Sequence, residues 1–130
     1  MSAFLDTNVL IRHLTGDPPE MAQRATRVLA GEEQWLLTDL VLVECVYVLE
    51  SFYEVECSRV ATLMRSALAL ASIEVVDASL LLRALEIYEL HGLDFAEAYL
   101  VANAESTGVR RVLSFDRAID RVESVSRVEP

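Results

Sequence analysis

The sequence predicts an α/β domain: a central, mainly parallel, twisted sheet of four to five strands flanked by helices on both faces. Two observations predict it. Short apolar or β-branched runs alternate with helix-length stretches of spaced apolar residues from one end of the chain to the other. Each run gives way at once to an acidic or hydroxyl residue, as at Leu5-Asp6, Leu37-Thr38, Val76-Asp77 and Leu113-Ser114, where a strand hands over to a capped helix or a turn. With 130 residues, 53% of them hydrophobic, and no Gly/Ser linker or repeat, residues 1–130 read as a single domain around one core.

The elements follow in order. Ala3 to Leu5 is a strand ending at Asp6, and Thr7-Asn8 open a helix through Val9 to Leu14 that Gly16 closes. Pro18-Pro19 start a second helix, with Met21, Ala25, Val28 and Leu29 on its apolar face, and Gln34 to Leu37 is the next strand. Thr38 or Asp39 caps a helix from Leu40 to about Phe52 that is apolar nearly all round and is expected to be buried. Ser58 to Ala71 forms an amphipathic helix, and β-branched Ile73 to Val76 a strand. Asp77 leads into a helix carrying Leu81, Ala84, Leu85 and Tyr88, stopped by His91-Gly92. Asp94 begins the last long helix, which ends near Gly108. Val109 to Leu113 is a strand, and Val122 to Val128 an edge strand.

Composition excludes several classes of function. The N-terminus has no basic segment ahead of an apolar one, and the apolar runs are interrupted by Glu44, Glu50 and Glu74, so the expectation is a soluble, cytoplasmic protein without a membrane segment. The two cysteines, Cys45 and Cys57, suggest free thiols and no zinc cluster. A net charge of −10 argues against binding nucleic acid through phosphate attraction over the whole surface. All 11 basic residues are Arg, so phosphate contacts fall to guanidinium groups and mechanisms that need lysine are excluded.

The chemistry sits in the acids. In a parallel sheet, ligands bind beyond the carboxyl ends of the strands, so Asp6, Thr38-Asp39, Asp77 and Ser114 to Asp116 outline an acidic crevice. Asp6 is either a ligand there or the cap of the first helix. Glu44 interrupts an apolar helix, where a charge needs an Arg, a metal ion or an escape to the rim. Asp94 and Glu97, three apart at a helix start, fit a ligand pair or a capping box. Asp116 is a strand-end acid or a turn residue. Carboxylates gathered at one sheet edge repel one another unless a divalent cation neutralises them. Magnesium, a hard ion satisfied by carboxylate oxygens and water, suits the set and supports phosphodiester cleavage.

Other chemistries lack their residues. There is no Gly-rich phosphate loop and no nucleophile elbow, and His13 and His91 are isolated. Aspartate-based phosphotransfer also places an Asp after the first strand. Its haloacid-dehalogenase form wants a second Asp where this chain has Asn8, and its response-regulator form wants a Lys.

Phe4-Leu5-Asp6-Thr7-Asn8-Val9-Leu10 resembles the opening motif of PIN-domain nucleases, in particular VapC-type toxins, and Glu44 looks like their second acid. Gly92-Leu93-Asp94-Phe95-Ala96-Glu97-Ala98 is similar to their third block, and Leu113-Ser114-Phe115-Asp116-Arg117 to their fourth. The resemblance spans the whole chain and implies a single PIN-like domain and a Mg²⁺- or Mn²⁺-dependent endoribonuclease. RNA is then the substrate, a cognate antitoxin the restraining partner, and a homodimer the common assembly. It carries catalytic roles to Asp6, Glu44, Asp94, Glu97 and Asp116, metal binding to Asp6, Asp94, Glu97 and Asp116, and support to Thr7 and Asn8. Arg12, Arg110, Arg111 and Arg117 are the phosphate contacts it suggests, or plain surface charge. One departure stands out: where the family's third block has a second Asp, this chain has Glu97, one methylene longer. That leaves open which third-block acid is the ligand, and keeps a non-catalytic PIN-like binding module as the alternative.

Overall fold

A computed structural model describes residues 2–130, and Met1 lies outside the described residues. The elements run β1 (Ser2–Phe4), α1 (Thr7–Thr15), α2 (Pro19–Leu29), β2 (Gln34–Leu36), α3 (Asp39–Ser51), α4 (Cys57–Leu68) and β3 (Ile73–Glu74). Then come α5 (Ala78–His91), α6 (Phe95–Thr107), β4 (Arg111–Leu113), a short 3-10 helix (Arg117–Arg121) and β5 (Ser126–Val128). The α/β class and the parallel pairing agree with the sequence. The hydrogen-bonded strands form two groups, β1-β2-β3 and β4-β5, every pair parallel. The chain divides into an N-terminal unit ending at Val76 and a C-terminal unit beginning at Asp77.

In the N-terminal unit, β1 pairs with β2 so that Phe4 lies opposite Leu36, and β2 pairs with β3 so that Leu36 lies opposite Glu74. The ladder continues past both strand ends, with the Leu5 amide donating to Leu36 and the Leu37 amide to Glu74. All three strands therefore end level, and the chain leaves them into the caps of the following helices. Asp6 caps α1, and Gly16 ends it with φ 72°, a left-handed position that a residue without a Cβ takes freely. α2 starts on Pro19, whose missing N–H is no loss at a helix start. It buries Ala22, Ala25 and Leu29, spaced at helical intervals, where α2 packs on α1.

α3 departs from the expectation of a helix buried all round. Thr38, not Asp39, caps it, accepting the Val41 amide at 3.1 Å. It buries Leu42, Cys45, Val46 and Leu49, one stripe at helical spacing. The opposite stripe is open: Leu40 and Tyr47 are exposed, and Glu44 lies exposed between them. A helix packed on one side covers one stripe whatever the opposite stripe is made of, and the sequence pattern alone did not reveal which side that was.

In the C-terminal unit, α5 packs along α6 and buries Leu81, Ala84, Leu85, Ile87 and Tyr88, with the Tyr88 ring edge-on to Phe95 at 5.7 Å. The expected edge strand from Val122 shortens to β5. Ahead of it Ile119, Val122 and Val125 are all buried at a spacing of three, the period of the 3-10 turn that carries the chain back to lie parallel to β4. Among the described residues, no helix is long and apolar enough to cross a membrane.

Candidate functional site

Asp6, Thr7, Asn8 and Glu44 belong to the N-terminal unit, and Asp94, Glu97 and Asp116 to the C-terminal unit. Asp6 sits one residue beyond Leu5, at the carboxyl end of β1, with one oxygen accepting the Asn8 amide at 3.3 Å. Thr7 is buried at the start of α1, and Asn8 is exposed. Because Glu44 is exposed, the expectation that burial forces a cation onto it falls away. Its charge is nonetheless felt inside the unit. Burial, then the charge of Glu44, then that of Asp6 push the buried Cys45 thiol up to about 12. Among the described residues neither cysteine forms a disulfide.

The third and fourth acid blocks interact directly. Asp94 caps α6, accepting the Glu97 amide at 2.8 Å, which is the first half of a capping box. The second half is not made. Half-buried Glu97 turns its carboxyl to Asp116 instead. Burial, the hydrogen bond with Asp116, and the charges of Asp94 and Asp116 push Glu97 up to about 7, so near neutrality its carboxyl donates a proton to Asp116. Asp116 is held below the ordinary carboxylate range by that bond first, then by the Ala118 amide at 2.9 Å, with Arg121 and Arg127 adding charge. Asp116 caps the 3-10 helix, and the Ser114 hydroxyl accepts its amide at 2.9 Å, fixing the turn after β4.

Two carboxyl groups in contact repel when both are ionised, so one of them holds its proton to higher pH. The donors are all oxygens, which fits a hard divalent ion, and such an ion would replace the Glu97 proton. Among the described residues, no three His, Cys, Asp or Glu side chains are arranged as a ready-made metal cage. The chemistry of the donors therefore fits, while the closed coordination shell is not preformed.

Sequence reasoning passed over one feature. A cavity of about 380 Å³ opens in the N-terminal unit beside Asp6, walled by β1, α1, α2 and Trp35 of β2. Met21 and Val28, two of the spaced apolar residues of the second helix, are about half exposed because they line it, and Arg24 lies among them. The signal was present in the spacing: Met21, Arg24 and Val28 share one face of α2 at intervals of three and four. Of the other arginines proposed for phosphate, Arg12 lines the same cavity and Arg110 donates to the Ser124 carbonyl at 3.3 Å. Arg111 and Arg117 are exposed.

Two solved structures are similar to the chain. VapC20 of Mycobacterium tuberculosis, a toxin that cleaves the sarcin-ricin loop, is 20% identical over 88% of this chain and 89% of that one, with a TM-score of 0.43. VapBC2 of Rickettsia felis, bound to a DNA fragment from its promoter, is 16% identical over 99% of this chain and 98% of that one, with a TM-score of 0.40. No curated protein matches. The family model of the PIN domain matches residues 3–125, nearly the full length and every acid discussed above, and the chain belongs to the PIN domain family.

Proposed function

We propose that the chain is a metal-dependent endoribonuclease that hydrolyses RNA phosphodiester bonds, the toxin of a toxin–antitoxin pair, acting as a single domain in the cytoplasm. The observation that carries the nuclease reading is the contact of two carboxyl groups, Glu97 against Asp116 with Asp94 close by, in a PIN domain, since acids gathered in one place suit a hard divalent cation. The toxin assignment rests on the four sequence blocks, as do the cognate antitoxin and the homodimer.

Mg²⁺ or Mn²⁺ is the cofactor of this proposal, with Asp6, Asp94, Glu97 and Asp116 as the residues that hold it. When bound, such an ion stabilises charge on the scissile phosphate and makes water a stronger acid. The protein's own part is to orient the carboxylates. One oxygen of Asp6, Asp94 and Asp116 is engaged by a helix-start amide, which fixes each side chain. Glu97, raised by burial and by Asp116, would have to give up its proton to hold the ion. Glu44 adds negative charge near Asp6, and Thr7 and Asn8 support the Asp6 turn.

A mixed RNA pool incubated with the purified protein and Mn²⁺ tests the proposal. Cuts are expected with Mn²⁺, none with EDTA, and at least a hundred-fold fewer with Asp6→Ala and Asp6→Asn. Asp6→Asn keeps the cap, so folding stays close to wild type, whereas Asp6→Ala also loses about 1 kcal/mol of stability. Full cleavage by both variants refutes the assignment. Glu97, standing where the third block of the resembled nucleases has a second Asp, favours one alternative, a PIN module that binds and does not cut. That alternative requires weak Mn²⁺ binding in calorimetry, and tight binding removes it.

A further inference from the structure

We propose that the cavity beside Asp6 receives one nucleotide of single-stranded RNA, the base against Trp35 and Phe4 and the phosphate on Arg12 and Arg24. This rests on the nuclease reading and adds to it a subsite that sets where along a strand the cut falls.

Size, wall chemistry and unmet hydrogen bonds point to the same occupant. About 380 Å³ lies at the small-molecule end of binding cavities and suits one nucleotide; a helical peptide, about 10 Å across and several turns long, exceeds it. The walls combine aromatic Phe4 and Trp35 with aliphatic Met21 and Val28, surfaces on which a base stacks whatever its identity. Two buried N–H donors of this wall, Arg12 Nε and Trp35 Nε1, have no acceptor among the described residues. Both are donors, so what completes them is rich in acceptors, as phosphate oxygens and base carbonyls are.

Charge agrees. In a chain of net charge −10, Arg24 lies exposed at this cavity without an ion pair among the described residues. Arg12 is steadied by its Nη1 bond to the Asp17 carbonyl at 3.2 Å, which leaves it in place to meet an anion. Asp6 lines the same cavity, so a nucleotide held here lies next to a residue proposed to hold the metal.

Trp35 is the only tryptophan of the chain, so its fluorescence reports this cavity alone. AMP and UMP, which contain no internucleotide bond to cleave, are titrated in Mg²⁺ with inorganic phosphate as the control. A saturable change in emission is expected with a nucleotide, with binding about ten-fold weaker in Arg24→Ala and unchanged in Arg59→Ala on the exposed side of α4. No saturable change, or one that Arg24→Ala leaves untouched, overturns the proposal. So does a signal seen only with an acidic amphipathic peptide, which assigns the cavity to a protein. The two readings fail separately: metal-dependent RNA cleavage without a nucleotide signal sinks the subsite and spares the nuclease. A nucleotide signal without cleavage does the reverse.

Discussion

Replacing Glu97 with glutamine tests the acid pair through stability, independently of any activity. The Glu97 carboxyl sits at about 7 against an ordinary 4.5, raised first by burial, then by Asp116 and Asp94. Because the folded form binds the proton more tightly than the unfolded one, this contribution is complete below pH 4.5 and is lost as pH rises through 7. The full span corresponds to about 3 kcal/mol, and the half-buried position of the side chain lets solvent screen that to about 1–2 kcal/mol.

Glu97→Gln removes the titration but keeps an amide that donates to Asp116. Urea unfolding at pH 5 and pH 8 is the assay. Wild type is expected to lose about 1–2 kcal/mol more than the variant between these values, or about 5 °C of Tm for a chain of this size. Saturating Mn²⁺ at pH 8 restores wild type, since an ion that binds only the folded form adds about 2.7 kcal/mol at a hundred times its Kd. Parallel pH profiles for the two proteins would show that Glu97 carries no proton near neutrality, and the shared-proton argument would fail.

Two further predictions concern groups outside the acid pair. Glu105 is held at about 2, chiefly by the Arg83 guanidinium, whose Nε and Nη2 both lie 2.8 Å from it, with the Ser124 hydroxyl also donating. Its stabilisation is complete above pH 4.5 and is lost as pH falls toward 2. Glu105→Gln is therefore expected to cost about 1–2 kcal/mol at pH 7 by urea unfolding, and its acid limb to be shallower than that of wild type. The Cys45 thiol, pushed up to about 12, is expected to resist iodoacetamide at pH 8 in the folded protein and to react once urea unfolds it, as mass spectrometry of the labelled peptide reads out.

The elements that the sequence revealed are those whose ends carry a local chemical signal. Asp6, Thr38, Asp77, Asp94 and Asp116 all precede helical turns, and all five accept an amide there. Gly16, Gly92 and Gly108 end α1, α5 and α6 in left-handed conformations. What the sequence hid depends on neighbours far along the chain. Which stripe of α3 is covered is decided by what packs against it, and a helix apolar on both sides gives no hint, so Glu44 was expected in the wrong surroundings. The cavity stayed hidden for a related reason: Met21 and Val28 carry the same spacing as core residues, and only the packing of α1, α2 and β2 leaves them facing open space. The Glu97–Asp116 contact joins residues nineteen apart, which no local pattern encodes.

Capping and metal binding were competing explanations for the same acids, and the geometry makes them compatible. A carboxylate has two oxygens, and a cap uses one: Oδ2 of Asp6, Oδ1 of Asp94 and Oδ1 of Asp116 each accept a backbone amide. The amide holds the side chain at the electropositive start of a helical turn without consuming the second oxygen. Glu97 differs from these three in sequence position and in state. It lies inside the first turn of α6, has no amide of its own to accept, and is the acid that takes the proton. A glutamate at that position gains reach from its extra methylene, and here the reach brings it to Asp116. The residue that sets this chain apart from the third block it resembles is thus the one that reaches Asp116.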